Sequence, residues 1–201
     1  ARPVLPMRAV AGRRGDETPM LMSDIHSVVL NPPWNVPASI ASKELWPKEK
    51  ANPGYLARNG YTVISTEGGS RLQQKPGPKS SLGLFKFDFD NPYGVYLHDT
   101  PAQAGFTRYA RQASHGCVRL EKPHALATAL LSGDAVWTEQ KVADALAKGD
   151  TVRARLPAAT PVFIFYWTAF AGAEGAMNFR SDPYDWDRML LQKIGVLGEK
   201  A

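Results

Sequence analysis

The chain of 201 residues holds a single cysteine, Cys117, in the run Ser114-His115-Gly116-Cys117-Val118-Arg119. Nineteen residues upstream, His98 stands in Tyr96-Leu97-His98-Asp99. A thiol and an imidazole are the two groups needed for covalent acyl transfer. The free thiol is mostly protonated at neutral pH, and its thiolate is the reactive species. A neighbouring imidazole takes the proton and later returns it to a departing amine. Gly116 lets the backbone approach a reacting carbonyl closely. The successive amides of His115, Gly116 and Cys117 are candidates to receive the developing oxyanion. Arg119, two residues beyond the thiol, matches a substrate carboxylate.

Each residue also has a plainer explanation. A lone cysteine is more often a small buried hydrophobe than a nucleophile. A strand histidine is usually only satisfied, and a surface arginine contributes little. The conjunction is what gives these residues weight.

The elements that position them follow from local patterns. Val95–His98 reads as a strand with Tyr96 and His98 on one face and Val95 and Leu97 on the other. Val118–Leu120 reads as a short strand that leaves a tight turn at Gly116, with Cys117 and Arg119 sharing a face. Two such strands side by side bring His98 to Cys117. Around them, Phe85, Phe87 and Phe89 alternate with Lys86 and Asp88, the period of a half-buried strand. Further strands are expected at 27–30, 61–65, 152–156 and 162–170. The last is apolar throughout and is expected at the centre of a sheet, with 178–180 pairing to it. Short helices broken by Pro47 and Pro53 are expected over 38–58. Residues 67–79, rich in glycine and proline, read as a loop. Pro123 opens a helix that stops at Gly133. A second helix, 139–148, ends at Gly149, and a terminal helix spans 187–194. Residues 1–20 read as an extended arm, and 99–114 as a long loop.

Composition narrows the class. Hydrophobic residues make up 44% and charged residues 21%, with a net charge of +5, which suits one globular domain of α+β type dominated by strands. The basic residues are scattered, with no aromatic-interleaved run, so nucleic acid is not an expected partner. The longest apolar stretch, 162–173, is too short to span a bilayer. One cysteine excludes an internal disulfide framework, and the spacings of His26, His98, His115 and His124 match no zinc motif, so no cofactor or metal is expected. The start at Ala1-Arg2-Pro3 reads as that of an excised or processed fragment.

The Ser-His-Gly-Cys-Val-Arg run with its upstream Tyr-Leu-His-Asp resembles the signature of the L,D-transpeptidase catalytic domain of the YkuD type. Asn31-Pro32-Pro33-Trp34-Asn35-Val36-Pro37, Asn52-Pro53-Gly54-Tyr55-Leu56, the run 74–83, Phe165-Tyr166-Trp167-Thr168-Ala169-Phe170 and Asp182-Pro183-Tyr184 resemble the large periplasmic members of Gram-negative bacteria. The resemblance covers roughly residues 18–190. It implies a β-sandwich-like catalytic domain over 21–195 with a small helical capping lid at 37–76 and C-terminal helices. It implies Cys117 as nucleophile, His98 as general acid/base, a backbone carbonyl at Asp99 orienting the imidazole, and Ser114, Arg119, Tyr96 and Trp34 at the substrate. The implied reaction joins peptidoglycan stem peptides through a thioester, with carbapenems as covalent inhibitors. Hydrolysis or D-amino acid exchange at the same site, an inert wall-binding module, and an unrelated cysteine protease are the alternatives.

Overall fold

A computed structural model describes residues 4–67, 69–172 and 175–195. In chain order its elements are β1 (Ala9–Gly12), β2 (Leu21–Leu30), β3 (Trp34–Asn35), α1 (Ala38–Ile40), a π-helical turn (Ala41–Leu45), α2 (Trp46–Ala51), α3 (Tyr55–Arg58), β4 (Tyr61–Thr66), β5 (Gly69–Gln74), β6 (Phe85–Phe89) and β7 (Leu97–His98). A 3-10 turn (Gln103–Thr107), β8 (Gln112–Ser114), β9 (Val118–Leu120), α4 (Pro123–Leu131), α5 (Glu139–Lys148), β10 (Val152–Ile164), β11 (Ala169–Ala171), β12 (Met177–Phe179) and α6 (Trp186–Lys193) follow. The architecture is α+β and strand-dominated.

Seven strands form one mixed sheet in the order β10-β2-β6-β7-β9-β1-β8. Its core rests on the period-two pattern of β6, whose Phe85, Phe87 and Phe89 are all buried. Val28 and Leu30 of β2 join them, and Ala127, Leu131, Val142 and Ala145 of α4 and α5 cover the same face. Both helices have the ends their sequences dictate. Pro123 occupies the first turn of α4, where its missing N–H costs nothing. Thr138 caps α5 by accepting from the Lys141 N–H at 3.3 Å, and Gly149 closes it in the left-handed conformation.

Residues 34–74 build a second, smaller unit. Val36, Ala41, Leu45, Leu56, Tyr61 and Leu72 form its own buried cluster. The unit is not only helical. Residues 69–74, expected within a loop, form β5, which pairs with β4 along Tyr61↔Gln74 to Thr66↔Gly69 and with β3 at Trp34↔Gln74. Gly68 lies outside the described residues.

Three expectations are corrected. The arm expected over 1–20 holds β1, which lies between β9 and β8 in the sheet; residues 1–3 lie outside the described residues. Four residues with small apolar side chains gave no periodicity to recognise. Within the expected loop 99–114, residues 112–114 form β8, parallel to β1. The strand expected at the sheet centre is part of β10, which is an edge, pairing only with β2. Pro157 and Pro161 explain this, since proline cannot donate to a second ladder. Phe163 and Phe165 accordingly point outward, each 55% exposed. The expected run 162–170 is divided between β10 and β11, and Asn178 and Phe179 pair with its end as expected, at Phe170 and Ala169.

Candidate active site

The pairing of β7 with β9 creates the site. The strands run parallel in the register Leu97↔Val118 and His98↔Arg119, and the Val118 N–H donates to the Tyr96 carbonyl at 3.1 Å. Side chains alternate along both strands, so Cys117 emerges on the same surface as His98 and Tyr96. One register step in either direction would turn the histidine into the core.

His98 is only 5% exposed. Its Nδ1 lies 2.5 Å from the Asp99 carbonyl oxygen. A carbonyl only accepts, so Nδ1 carries the proton and Nε2 keeps its lone pair. The Asp99 side chain fixes that carbonyl in turn. Its Oδ2 accepts from the Leu84 N–H at 2.8 Å and its Oδ1 from the Thr100 N–H at 2.6 Å. Gly83 permits the approach: its φ is +61°, and a Cβ there would lie 2.3 Å from Asp99 Oδ2. Burial pulls the His98 pKa down to about 4, with the charges of Arg119 and Lys86 acting in the same sense and the Asp99 carbonyl opposing.

Burial pushes the Cys117 thiol up. The backbone and hydroxyl of Tyr96 and the charges of Lys86 and Arg119 pull the other way. At neutral pH the cavity therefore holds a protonated thiol and a neutral imidazole. Tyr96 lines the same cavity as Cys117 and Trp34. Burial raises its phenol far above the ordinary range, so it remains a donor. Lys86, paired across the sheet with His98, sits 4.5 Å from the Tyr96 ring centroid.

The nucleophile turn is braced from below. Gly116 has φ +108°, which a side chain would strain. Its carbonyl accepts from Thr18 Oγ1 at 2.8 Å, and the same hydroxyl accepts from the Gly12 N–H at 2.8 Å. The Tyr184 hydroxyl donates to the Gly12 carbonyl at 2.6 Å. Ser114, expected at the substrate, is 2% exposed and committed inside the turn. Its Oγ donates to the Cys117 carbonyl at 2.5 Å and accepts from the Gly116 N–H at 3.2 Å. This changes the expected oxyanion donors. The Gly116 amide is occupied, while those of His115 and Cys117 find no acceptor among the described residues.

Arg119 is half-buried and makes no hydrogen bond or ion pair with the described residues; its Nε is fully covered and unpartnered. Burial lowers its pKa. A guanidinium without a counter-ion retains donors able to pair with an anionic group. Together His98, Cys117, Arg119, Tyr96 and Trp34 line a cavity of about 680 Å³ whose far wall is the smaller unit, through Glu44 and its neighbours. The His115 Nε2–H donates to Glu44 Oε1 at 2.7 Å.

Sequence reading therefore named the residues around the sulfur and missed its supports. Thr18, Gly12, Arg13 and Glu44 lie in segments that no local pattern marks, and Tyr184, although inside the run Asp182-Pro183-Tyr184, was given no role there.

A strand histidine with its lone pair free and a thiol on a glycine turn thus share one cavity on a strand-dominated scaffold. Residues 1–164 match the family model of the YkuD L,D-transpeptidase catalytic domain, and the chain belongs to that family. A Haemophilus influenzae protein named "Putative L,D-transpeptidase" is 34% identical over 204 aligned residues, covering 93% of this chain and 41% of the relative. The chain thus spans about two fifths of that relative's length. Among the described residues no helix is long and apolar enough to cross a membrane.

Proposed function

We propose that the chain forms 3-3 crosslinks between peptidoglycan stems, with Cys117 as the acyl carrier. The supporting observation is the parallel β7–β9 pairing, with Cys117 and His98 lining one cavity and the His98 Nδ1 held by the Asp99 carbonyl.

In this reading His98 Nε2 takes the thiol proton as the sulfur attacks the carbonyl between diaminopimelate and D-alanine. The amides of His115 and Cys117 receive the oxyanion. Imidazolium returns the proton to the departing D-alanine amine, and the C–N bond breaks to leave a thioester. The side-chain amine of a second stem's diaminopimelate then attacks that thioester. His98 takes its proton and returns it to the sulfur. One amide bond is broken and one formed, so the exchange needs no outside energy source. Arg119 holds a carboxylate of the donor, and Tyr96 and Trp34 form the wall against it. Residues 37–76 serve as the lid, and the catalytic unit begins at β1 rather than at residue 21. The substrate lies outside the cytoplasmic membrane, which sets the site of action in the periplasm.

Incubation with purified disaccharide-tetrapeptides, followed by mass analysis, tests this. Dimers with released D-alanine are expected from the wild type and none from Cys117→Ala. Tripeptides alone would show water as acceptor, and exchanged stems a free D-amino acid; either would refute crosslinking. Dimers formed by Cys117→Ala would refute the nucleophile.

A further inference from the structure

Three segments far apart in sequence converge beside the nucleophile turn. From the lid, Glu44 presents a carboxylate that accepts from His115 Nε2 at 2.7 Å and from an Arg13 guanidinium nitrogen at 3.4 Å. From the strand edge, the Arg13 N–H donates to the Ser114 carbonyl at 2.9 Å. Arg13 also donates through its Nε to Asp16 at 2.7 Å. Beta-strand edge, lid and turn are thus tied at two points, His115 by its ring and Ser114 by its carbonyl.

The lid backbone is shaped for this contact. Ala41–Leu45 is a π-helical turn rather than a continuation of α1. Such a turn accommodates one residue more than an α-helical winding of the same rise, and π-turns concentrate at functional sites. Ala41 and Leu45 are 7% and 4% exposed, facing the lid's own core. Glu44 is left to reach across to His115, and the pair is about one third and one quarter exposed.

Holding the His115 ring matters because of where its backbone lies. Its amide and that of Cys117 are the two turn amides without a protein acceptor. Rotation of the turn about residue 115 would misdirect both, and donors to an oxyanion act only when already aimed. The carboxylate is in its ionised form at neutral pH, its pKa lowered first by the His115 hydrogen bond and also by Arg13, against burial.

We infer that Glu44 is a positioning residue for acyl transfer, a clasp that couples closure of the 37–76 lid to the orientation of the His115 and Cys117 amides. The inference rests on the acyl-transfer reading of the site. Glu44 touches no reacting atom and acts through His115.

The test measures kcat and KM for D-alanine release from disaccharide-tetrapeptide by the wild type, Glu44→Ala, Glu44→Gln, His115→Ala and the Glu44→Ala/His115→Ala double variant. Glutamine keeps an acceptor for the imidazole N–H, so Glu44→Gln is expected within about threefold of the wild type. Glu44→Ala is expected to lower kcat by about tenfold or more with KM changed by no more than about threefold. The double variant is expected to be no worse than the weaker single, because both remove one interaction. Amide hydrogen exchange over residues 38–58 is expected to quicken in both alanine variants and not in Glu44→Gln. Iodoacetamide alkylation of Cys117 is expected to be no slower in any of them.

Wild-type kcat in Glu44→Ala, multiplying losses in the double variant, or unchanged lid exchange would overturn the clasp. So would a Glu44→Gln as impaired as Glu44→Ala, or alkylation that fell in step with turnover. A wild type that released no D-alanine would instead remove the reaction, and with it the positioning role, and would be recognised before any variant was compared.

Discussion

The burial of His98 makes stability depend on pH in a way that one substitution isolates. Unfolded, the imidazole titrates near 6.5; folded, it is held to about 4. Between those values the unfolded chain binds the additional proton. The contribution of this residue to stability is therefore complete above pH 6.5 and is lost as the pH falls towards 4. At about 1.4 kcal/mol per pH unit the whole span amounts to roughly 3 kcal/mol, of which roughly 2 kcal/mol is already lost at pH 5. Carboxylates such as Glu44 and Asp182, whose pKa values are lowered in the fold, also lose stabilisation in acid. The comparison must therefore be between proteins. Urea unfolding followed by tryptophan fluorescence at pH 7 and pH 5 is expected to show the wild type losing roughly 2 kcal/mol more than His98→Asn. The same burial keeps the base neutral in the resting enzyme, so the acid limb of kcat/KM is expected near pH 4 rather than near 6.5. Equal pH dependence in the two proteins, or an acid limb at the ordinary histidine value, would refute the placement of His98 as a buried neutral base.

Two further outcomes follow from the supports of the thiol. Incubation with a carbapenem is expected to add the mass of one intact β-lactam at Cys117, and an intact-protein spectrum without an adduct would count against a competent thiolate. Thr18→Val keeps the side-chain volume but leaves the Gly12 N–H and the Gly116 carbonyl unpaired in a buried place. It is expected to cost roughly 2–4 kcal/mol in urea unfolding and to slow carbapenem acylation. A loss under about 1 kcal/mol would mean that the brace is not formed in solution.

Much of the scaffold was legible from local pattern. The alternation Phe85, Phe87, Phe89 yields the central strand β6, and Pro123, Thr138 and Gly149 mark helix ends where the structure has them. The exceptions have common causes. Strands as short as β1 and β8, at four and three residues, carry too few alternations for a period to be read. The apolar 162–170 run suggested a central strand, but Pro157 and Pro161 held β10 at the edge, where Phe163, Phe165 and Trp167 stack outward. Residues 69–74 have a loop's glycine next to them and become a strand because β3 and β4 supply partners on both sides.

The sequence by itself determined the chemistry on offer near the sulfur. One thiol on a glycine turn, a strand histidine with a free face, and an arginine in step with the thiol are all read along the chain, since period-two alternation needs no partner to be known. Tertiary structure alone decided which groups control them. The strand pairing brought His98 and Cys117 to one cavity, and the Asp99 carbonyl chose the tautomer. The Ser114 hydroxyl was committed to hydrogen bonds within the turn, which occupied the Gly116 amide. Thr18 reaches the turn across 98 residues and Glu44 across 71, and Tyr184 braces Gly12 across 172. A hydrogen bond depends on where atoms meet in space, and no local periodicity encodes such a meeting.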